Sequence, residues 1–208
     1  MKRRDISADS VWREYEKMLA YNDSIQLDDT VRVNENFFIG KQWEGVESNG
    51  LPTPQFNFLK RVTLFTVASI TSDKLKLQCS PLPSGAGDRG LRRAADVINA
   101  EFEALFEHNK LTWLLKEYMR NAAVDGDGAT YTWWDPEADA GDGRRGAVVT
   151  EVVQNTRIGF GNTADRNVQT QPYILIKRRE MTEALRERAR RLGCADWEAL
   201  KEDTDEQL

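Results

Sequence analysis

The sequence is poor in the side chains that build metal and redox centres. Among its 208 residues are one histidine, His108, and two cysteines, Cys79 and Cys194, which lie far apart. A single imidazole and two distant thiols do not match the ligand spacing of a zinc site. We therefore expect no metal ion, and two isolated thiols favour a reducing, cytosolic setting. His108 is expected at a helix end, where a cation interacts with the last carbonyl groups.

Long apolar runs and catalytic fingerprints are also missing. No run of about 18 apolar residues is present, so no membrane span is predicted. The basic start, Met1–Asp5, leads into a polar amphipathic stretch and does not resemble a secretory signal. Gly40, Gly45 and Gly50 are too widely spaced for a phosphate-binding loop. No nucleophile elbow occurs. These absences predict a protein that is not an enzyme and that binds no cofactor.

The chain also lacks a basic excess. Its net charge of −5 argues against a general nucleic-acid-binding domain, although it is compatible with a conduit past which DNA slides. Acidic residues interleave with the main basic cluster, which suggests ion pairs on a solvated helix face. The arginines that remain candidates for a DNA or subunit contact are Arg178, Arg179, Arg186 and Arg190.

Two adjacent tryptophans, Trp133 and Trp134, lie in a predicted strand. Indole rings stack on bases in some nucleic-acid-binding proteins. Alternation along a strand, however, places one ring towards the core and the other at an interface. Packing or a subunit contact is therefore the favoured interpretation of this pair.

What the sequence does contain is helical periodicity followed by β-type alternation. The predicted helices are Asp9–Tyr21, Thr30–Ile39, Leu91–Phe106, Leu111–Ala122 and Thr182–Leu192. The predicted strands are Leu75–Cys79, Ala129–Trp134, Ala147–Val153 and Tyr173–Lys177. The fold class predicted is α+β, with several amphipathic helices packed on a small, mainly antiparallel sheet. A flexible N-terminus (1–8) precedes one domain (9–196), which is helical over 9–124, β-rich over 125–180 and helical again over 181–193. An acidic tail (197–208) follows.

Two neighbouring segments carry unusual apolar content. Residues 40–56 are rich in glycine and proline yet include Trp43, Leu51 and Phe56, so we expect this loop to be pinned to a core. Asn57–Ser72 is apolar on all sides, which predicts a buried helix, although its β-branched residues also allow a strand.

Asp125-Gly126-Asp127-Gly128 looks like half of a calcium-binding loop. Calcium needs further oxygen ligands and a closing glutamate, and here a strand pattern begins at Ala129 instead. The glycines are therefore predicted to form a tight turn from a helix to a strand.

Taken in order, these segments resemble the N-terminal part of the portal proteins of tailed bacteriophages. The family pattern begins with a helix, a Gly-x-Gln-Trp turn and a Pro-x-x-Asn approach to a second helix, and this resemblance favours helix for Asn57–Ser72. It continues with a helix, a glycine turn and an aromatic strand at 120–135, and later with the stretches 155–162 and 171–179. The residues that carry the resemblance are Gly40, Gln42, Trp43, Pro54, Asn57, Asp125, Gly126, Gly128, Gln171 and Pro172.

The resemblance implies a structural role. Portal subunits form a ring of twelve at one capsid vertex, nucleate head assembly, dock the large subunit of the terminase and pass double-stranded DNA. Their further partners are capsid, scaffolding and head-completion proteins. The implied location is the virion, with the host cytoplasm during assembly or from a prophage. The matched residues correspond to the peripheral wing.

The family's stem helices, clip and crown have no counterpart after Asp196. The chain is therefore expected to correspond to the N-terminal part of a portal protein, and by itself to be a monomer that forms no working ring. The alternative hypothesis is a stand-alone, soluble, non-catalytic α+β interaction module, such as a head–tail adaptor. An enzyme of unknown type is a third hypothesis, which lacks an acid, a base or a nucleophile to support it.

Overall fold

The computed structural model describes residues 7–73, 76–82, 87–139, 143, 145–165 and 167–202. It contains six α-helices and two small sheets among these residues, so the α+β prediction is confirmed. The helices are α1 (Ala8–Ser24), α2 (Leu27–Ile39), α3 (Phe58–Ile70), α4 (Arg89–His108), α5 (Leu111–Asp125) and α6 (Thr182–Arg191). The strands are β1 (Ala129–Asp139), β2 (Arg145–Val153), β3 (Ile158–Phe160) and β4 (Ile174–Ile176).

Capping side chains and left-handed residues define the helix ends. The Ser7 side chain accepts a hydrogen bond from the Ser10 amide at the start of α1, and Asp88 caps α4 through the Gly90 amide. Gln26 and Lys110 adopt positive φ angles and turn α1 into α2 and α4 into α5. His108 ends α4, as its sequence position predicts. Of the N-terminal region predicted to be flexible, residues 1–6 lie outside the described part.

The chain divides into two units. In the first, Met1–Leu175, α5 is central and packs against α2, α3, α4 and β2. Strands β1 and β2 form an antiparallel pair, and β3 pairs with β4. In the second unit, Ile176–Leu208, α6 packs against a short 3-10 turn at Trp197–Ala199. Residues 203–208 of the predicted acidic tail lie outside the described part.

The first unit buries little apolar surface. Its buried apolar residues are Met18, Val67, Ala95, Ala147 and Val153. Among the described residues no large side chain is completely excluded from solvent. The core is therefore made of small and medium side chains on α1, α3, α4 and β2, while most of the aromatic residues lie at the surface.

Two expectations about this unit were wrong. Residues 76–79 form no strand, and Leu75 lies outside the described residues. The segment is instead held by one amide, because Asn99 of α4 accepts a hydrogen bond from the Cys79 amide (2.7 Å) and donates one to the Cys79 carbonyl (3.1 Å). Helix α3 forms as expected but is not buried, since only Val67 among its apolar side chains is shielded from solvent.

Candidate functional site

The loop between α2 and α3 is closed by hydrogen bonds from its own motif residues. The Trp43 indole Nε1 donates to the Pro54 carbonyl at 3.1 Å, and the Gln42 amide approaches the same oxygen at 3.5 Å. The loop therefore folds back on itself, since Trp43 and Gln42 approach a carbonyl oxygen that lies 11 and 12 positions further along the sequence. This single acceptor links the Gln-Trp turn to the proline segment.

Asn57 connects the two helices that flank this loop. Its Nδ2 donates to the Phe38 carbonyl at the end of α2 (2.9 Å), and its Oδ1 caps α3 by accepting from the Lys60 amide (3.0 Å). Gly40 ends α2 with φ +90°, and a Cβ there would lie 3.2 Å from the Asn57 Nδ2. Both the positive φ and the close approach therefore favour glycine at position 40.

The loop is held by these polar contacts and not by apolar packing. Leu51 and Phe56 are largely exposed, which corrects the expectation that their side chains pin the loop to a core. A hollow of about 160 Å³ lies beside the loop and α3. It is lined by Phe37, Gln42, Phe56, Asn57 and Leu59.

Asn57→Ala is expected to lower the free energy of unfolding by about 2 kcal/mol, since it removes a helix cap and a partly buried hydrogen bond. Urea unfolding followed by circular dichroism measures the change. Asn57→Asp is the matched control, because it keeps the cap and loses only the donation to Phe38; its loss is expected to be about half as large. Equal losses in the two variants would contradict the role assigned to the amide.

Phe38 joins this loop to a charged cluster on α2 and α5. The Arg120 guanidinium carbon lies 4.9 Å from the centre of the Phe38 ring, and the Lys60 ammonium lies 5.6 Å from it. The structure therefore brings two of the sequence motifs together, the Gly40–Asn57 loop and the helix end at Asp125.

The cluster itself consists of one cation and two carboxyl groups. Arg120 donates to the Glu35 carboxylate across the α2–α5 contact, and its NH1 lies 3.9 Å from the Asp125 carboxylate. The same guanidinium donates to the Asn121 side chain at 3.2 Å. Asp125 is 7% exposed, and its Oδ1 has no hydrogen-bond partner among the described residues. Arg120 is therefore the group that compensates two carboxyl groups on different helices.

Burial raises the pKa of Asp125 above its usual value of 3.8. The Glu35 carboxylate raises this pKa further by charge repulsion and by a side-chain hydrogen bond, while Arg120 acts in the opposite direction. Because the folded state holds this proton more tightly than the unfolded state, stability falls as the pH rises above 3.8 through the folded-state pKa.

Asp125→Asn is expected to remove this contribution. Relative to the parent, the variant should gain free energy of unfolding progressively as the pH rises above 3.8, because the parent then ionises a buried carboxyl group. Urea unfolding of both proteins over a pH series measures the difference. A difference that is independent of pH would contradict the raised pKa.

The Asp125–Gly128 motif forms the predicted turn from a helix to a strand. Helix α5 ends at Asp125, Gly126 has φ +94°, and β1 begins at Ala129. A Cβ on Gly128 would lie 2.9 Å from the Tyr118 carbonyl oxygen, so the glycine permits close packing on α5. Within the part of the chain that the structure describes, no group of three metal-ligating side chains occurs here or elsewhere.

The third motif closes a separate loop. The Gln171 side chain accepts from the Asn162 amide (2.9 Å) and donates to the Asn162 and Asp165 carbonyls (3.0 and 2.7 Å). Pro172 packs against Gly161, where a Cβ would lie 2.8 Å from its ring. Within this loop the Thr170 hydroxyl and the Asn167 backbone hold the pKa of Asp165 below its usual value. Gln171 and Pro172 are therefore structural residues of this loop.

The four candidate arginines lie in the second unit, where Arg186 and Arg190 contact neighbouring groups. Arg186 pairs with Glu183 (2.8 Å) and donates to the Leu200 carbonyl, and Arg190 lies 6.0 Å from the Trp197 ring centre. The interleaved acids thus form some of the predicted ion pairs. Arg178 and Arg179 are exposed, and a DNA or subunit contact through these residues stays a prediction.

The tryptophan pair alternates across β1. The Trp133 ring stacks on Tyr131, with centres 5.1 Å apart, and is half-buried. Trp134 points to the other face, is exposed and lies across Gly146 of β2, where a Cβ would be 2.5 Å from its ring. The two rings therefore point to opposite faces of the strand, as its alternation predicts. A subunit contact through Trp134 stays a prediction.

Sequence reasoning missed several residues that organise the first unit. Glu35 and Arg120 are separated by 85 positions, and although Arg120 begins the matched stretch 120–135, no sequence pattern pairs it with Glu35. Asn109 and Asn99 act through amides that bond to distant backbone groups. Asn109 directly follows a strongly amphipathic helix. An asparagine in that position indicates a helix cap, but it does not indicate the distant backbone groups to which the side chain also bonds.

Comparisons of the chain with models of protein families, with curated proteins and with solved structures found no match. Within the described residues, none of the helices combines the length and the apolar character that crossing a membrane requires.

Proposed function

We propose that this chain is a non-catalytic structural subunit of a portal-type ring at one vertex of a bacteriophage capsid. In that role it takes part in head assembly and forms part of the conduit through which DNA is packaged and ejected. The order of the sequence motifs supports the assignment, as does the structural use of the motif residues in closing loops and capping helices.

The observation that carries the proposal is the exposure of large apolar side chains in the first unit. Leu51, Phe56 and Phe65 are 73%, 70% and 73% exposed, and only five apolar residues of the described part are buried. A chain of 208 residues is long enough to bury a core, yet this one leaves most of its aromatic side chains at the surface. Such a chain buries its exposed apolar side chains against neighbouring subunits.

This observation also separates the proposal from a stand-alone α+β module, such as a head–tail adaptor. A module that works alone needs a core that stabilises it without neighbours. The exposed apolar side chains of the described residues therefore favour a subunit that is held inside an assembly. The proposed partners are further copies of the chain, the large terminase subunit, capsid and scaffolding proteins, head-completion proteins and the DNA that passes through. The proposed location is the virion.

Particle imaging tests the proposal directly. The chain is tagged in its native gene neighbourhood, and purified heads are labelled with gold, with a tagged capsid protein as the control that labels the whole shell. A portal subunit is expected at one vertex of both empty precursor heads and filled heads. Label that appears only on filled heads would favour the adaptor, and label that is absent from heads would overturn both assignments.

A further inference from the structure

Helix α3 carries an apolar stripe on the side that faces away from the rest of the unit. Phe58, Val62 and Phe65 follow one another at helical spacing and are 65%, 62% and 73% exposed. Ser69 continues the stripe by one turn. On the opposite side of the helix, Val67 is buried. The described chain therefore covers one side of an apolar helix and leaves the other open.

The stripe continues into the preceding loop. The Phe56 ring stacks on Phe58 with centres 6.2 Å apart, and Leu59 adds further exposed apolar surface. Together these side chains expose roughly 600 Å² of apolar area, most of the ~800 Å² that each partner buries in a standard specific interface. A patch of this size, on α3 and the loop just before it, is large for a surface that has no partner.

We propose that this α3 face binds the α3 face of a second copy of the chain in an antiparallel arrangement around a two-fold axis. In that arrangement Phe58 faces Ser69 of the other copy, and Val62 faces its Phe65. Each pair of facing residues then combines a large side chain with a smaller one. Facing positions of two helices fill the space between them without voids in this way. A parallel pair would instead oppose phenylalanine to phenylalanine and serine to serine.

The charges of α3 agree with the antiparallel choice. Lys60 and Arg61 are its only charged residues, and both lie near its first turn. A parallel pair would bring the two Arg61 side chains to the same level, where like charges repel. The antiparallel pair sets Arg61 at the level of Thr66 of the other copy.

This pairing does not rest on the proposed ring. Two copies around a two-fold axis meet through the same surface, whereas neighbours in a ring meet through two different surfaces. It differs from the monomer that is expected from the missing stem, clip and crown. It also gives a partner to apolar sides of α3 that the sequence predicts to be buried inside the chain.

Charge complementation between two variants tests the pairing on the purified full chain. Val62→Glu with Phe65→Glu, and separately Val62→Lys with Phe65→Lys, are each expected to reduce the mass in solution from twice 23.8 kDa to 23.8 kDa. Mixing the two variants is expected to restore the doubled mass, since each introduced glutamate then faces an introduced lysine of the other copy. Val97→Glu with Leu192→Glu is the matched control, because both positions are exposed and apolar but lie outside α3, and it should remain paired.

A parent chain with the mass of one copy at every dilution, or a mixture that stays unpaired, would overturn the proposal.

Cysteine cross-linking gives a second test that needs no charged variant. In a background with Cys79→Ala and Cys194→Ala, Phe58→Cys with Ser69→Cys is expected to form a covalent dimer, and neither single cysteine is. Eleven residues of helix separate these positions by about 16 Å, too far for a disulfide within one helix. Cross-linking by the single variants would indicate a parallel pair and overturn the proposed geometry.

Discussion

Arg120→Met is expected to lower the free energy of unfolding by about 3 kcal/mol at neutral pH. The substitution removes the cation that compensates Glu35 and Asp125 and leaves two carboxyl groups close together, one of them buried. Removing one partner of a buried ion pair costs about 3–5 kcal/mol, and the partial exposure of Arg120 and Glu35 places this case at the low end. Urea unfolding monitored by circular dichroism measures the loss.

Two further variants show whether the charge is the cause. Glu35→Gln combined with Arg120→Met removes one carboxylate and should recover part of the loss, because less uncompensated charge remains. Arg120→Lys keeps the charge but loses the planar fork, so a smaller loss is expected. If the double variant is no more stable than Arg120→Met, the loss comes from packing against Phe38 and the electrostatic account is wrong.

Asn109→Ala is expected to lower the free energy of unfolding by a similar amount, about 3 kcal/mol, because it removes three hydrogen bonds from a partly buried joint. The Asn109 side chain donates to the Val148 carbonyl (2.9 Å) and to the Leu105 carbonyl (3.2 Å), and it accepts from the Thr150 amide (3.1 Å). Its amide thus supplies to β2 the donor and acceptor that another strand would supply.

The control for this prediction is Asn109→Asp. Aspartate can still accept from the Thr150 amide but, when ionised, cannot donate to the Val148 or Leu105 carbonyl and places a charged oxygen against them. Its loss should therefore be at least as large as that of alanine at neutral pH and should become smaller at acidic pH, where the protonated carboxyl group can donate again. Hydrogen exchange provides a second readout, since the Thr150 amide should exchange faster in the alanine variant while amides in α1 should not. Unchanged exchange at Thr150 would show that the side chain does not hold the sheet edge.

Local patterns in the sequence predicted much of the secondary structure. Helix α5, the turn at Asp125–Gly128 and the strand pair that follows it were all recognisable from periodicity and glycine chemistry. The motif residues Gly40 and Asn57 were also identified, but their contact was not. An asparagine before an apolar run indicates a cap, whereas its bond to the Phe38 carbonyl depends on how the loop closes.

Burial was predicted less well than secondary structure. The apolar character of α3 correctly indicates surface that avoids water, but it does not say which molecule covers that surface. The same reasoning applies to Leu51 and Phe56, which are exposed although their size predicts burial. Apolar area is a property of each residue, whereas its partner is a property of the whole assembly.

Local sequence was enough to establish the α+β class, the positions of most helices and strands, and the lack of any recognised metal or catalytic motif. These features depend on neighbours within a few residues, so the local pattern is sufficient. The packing of the chain was needed to show that Glu35, Arg120 and Asp125 form one cluster, that Asn109 completes the edge of β2, and that α3 keeps an open apolar face. Each of these depends on contacts between distant residues, which arise from the packing of whole elements and leave no periodic signal in the chain.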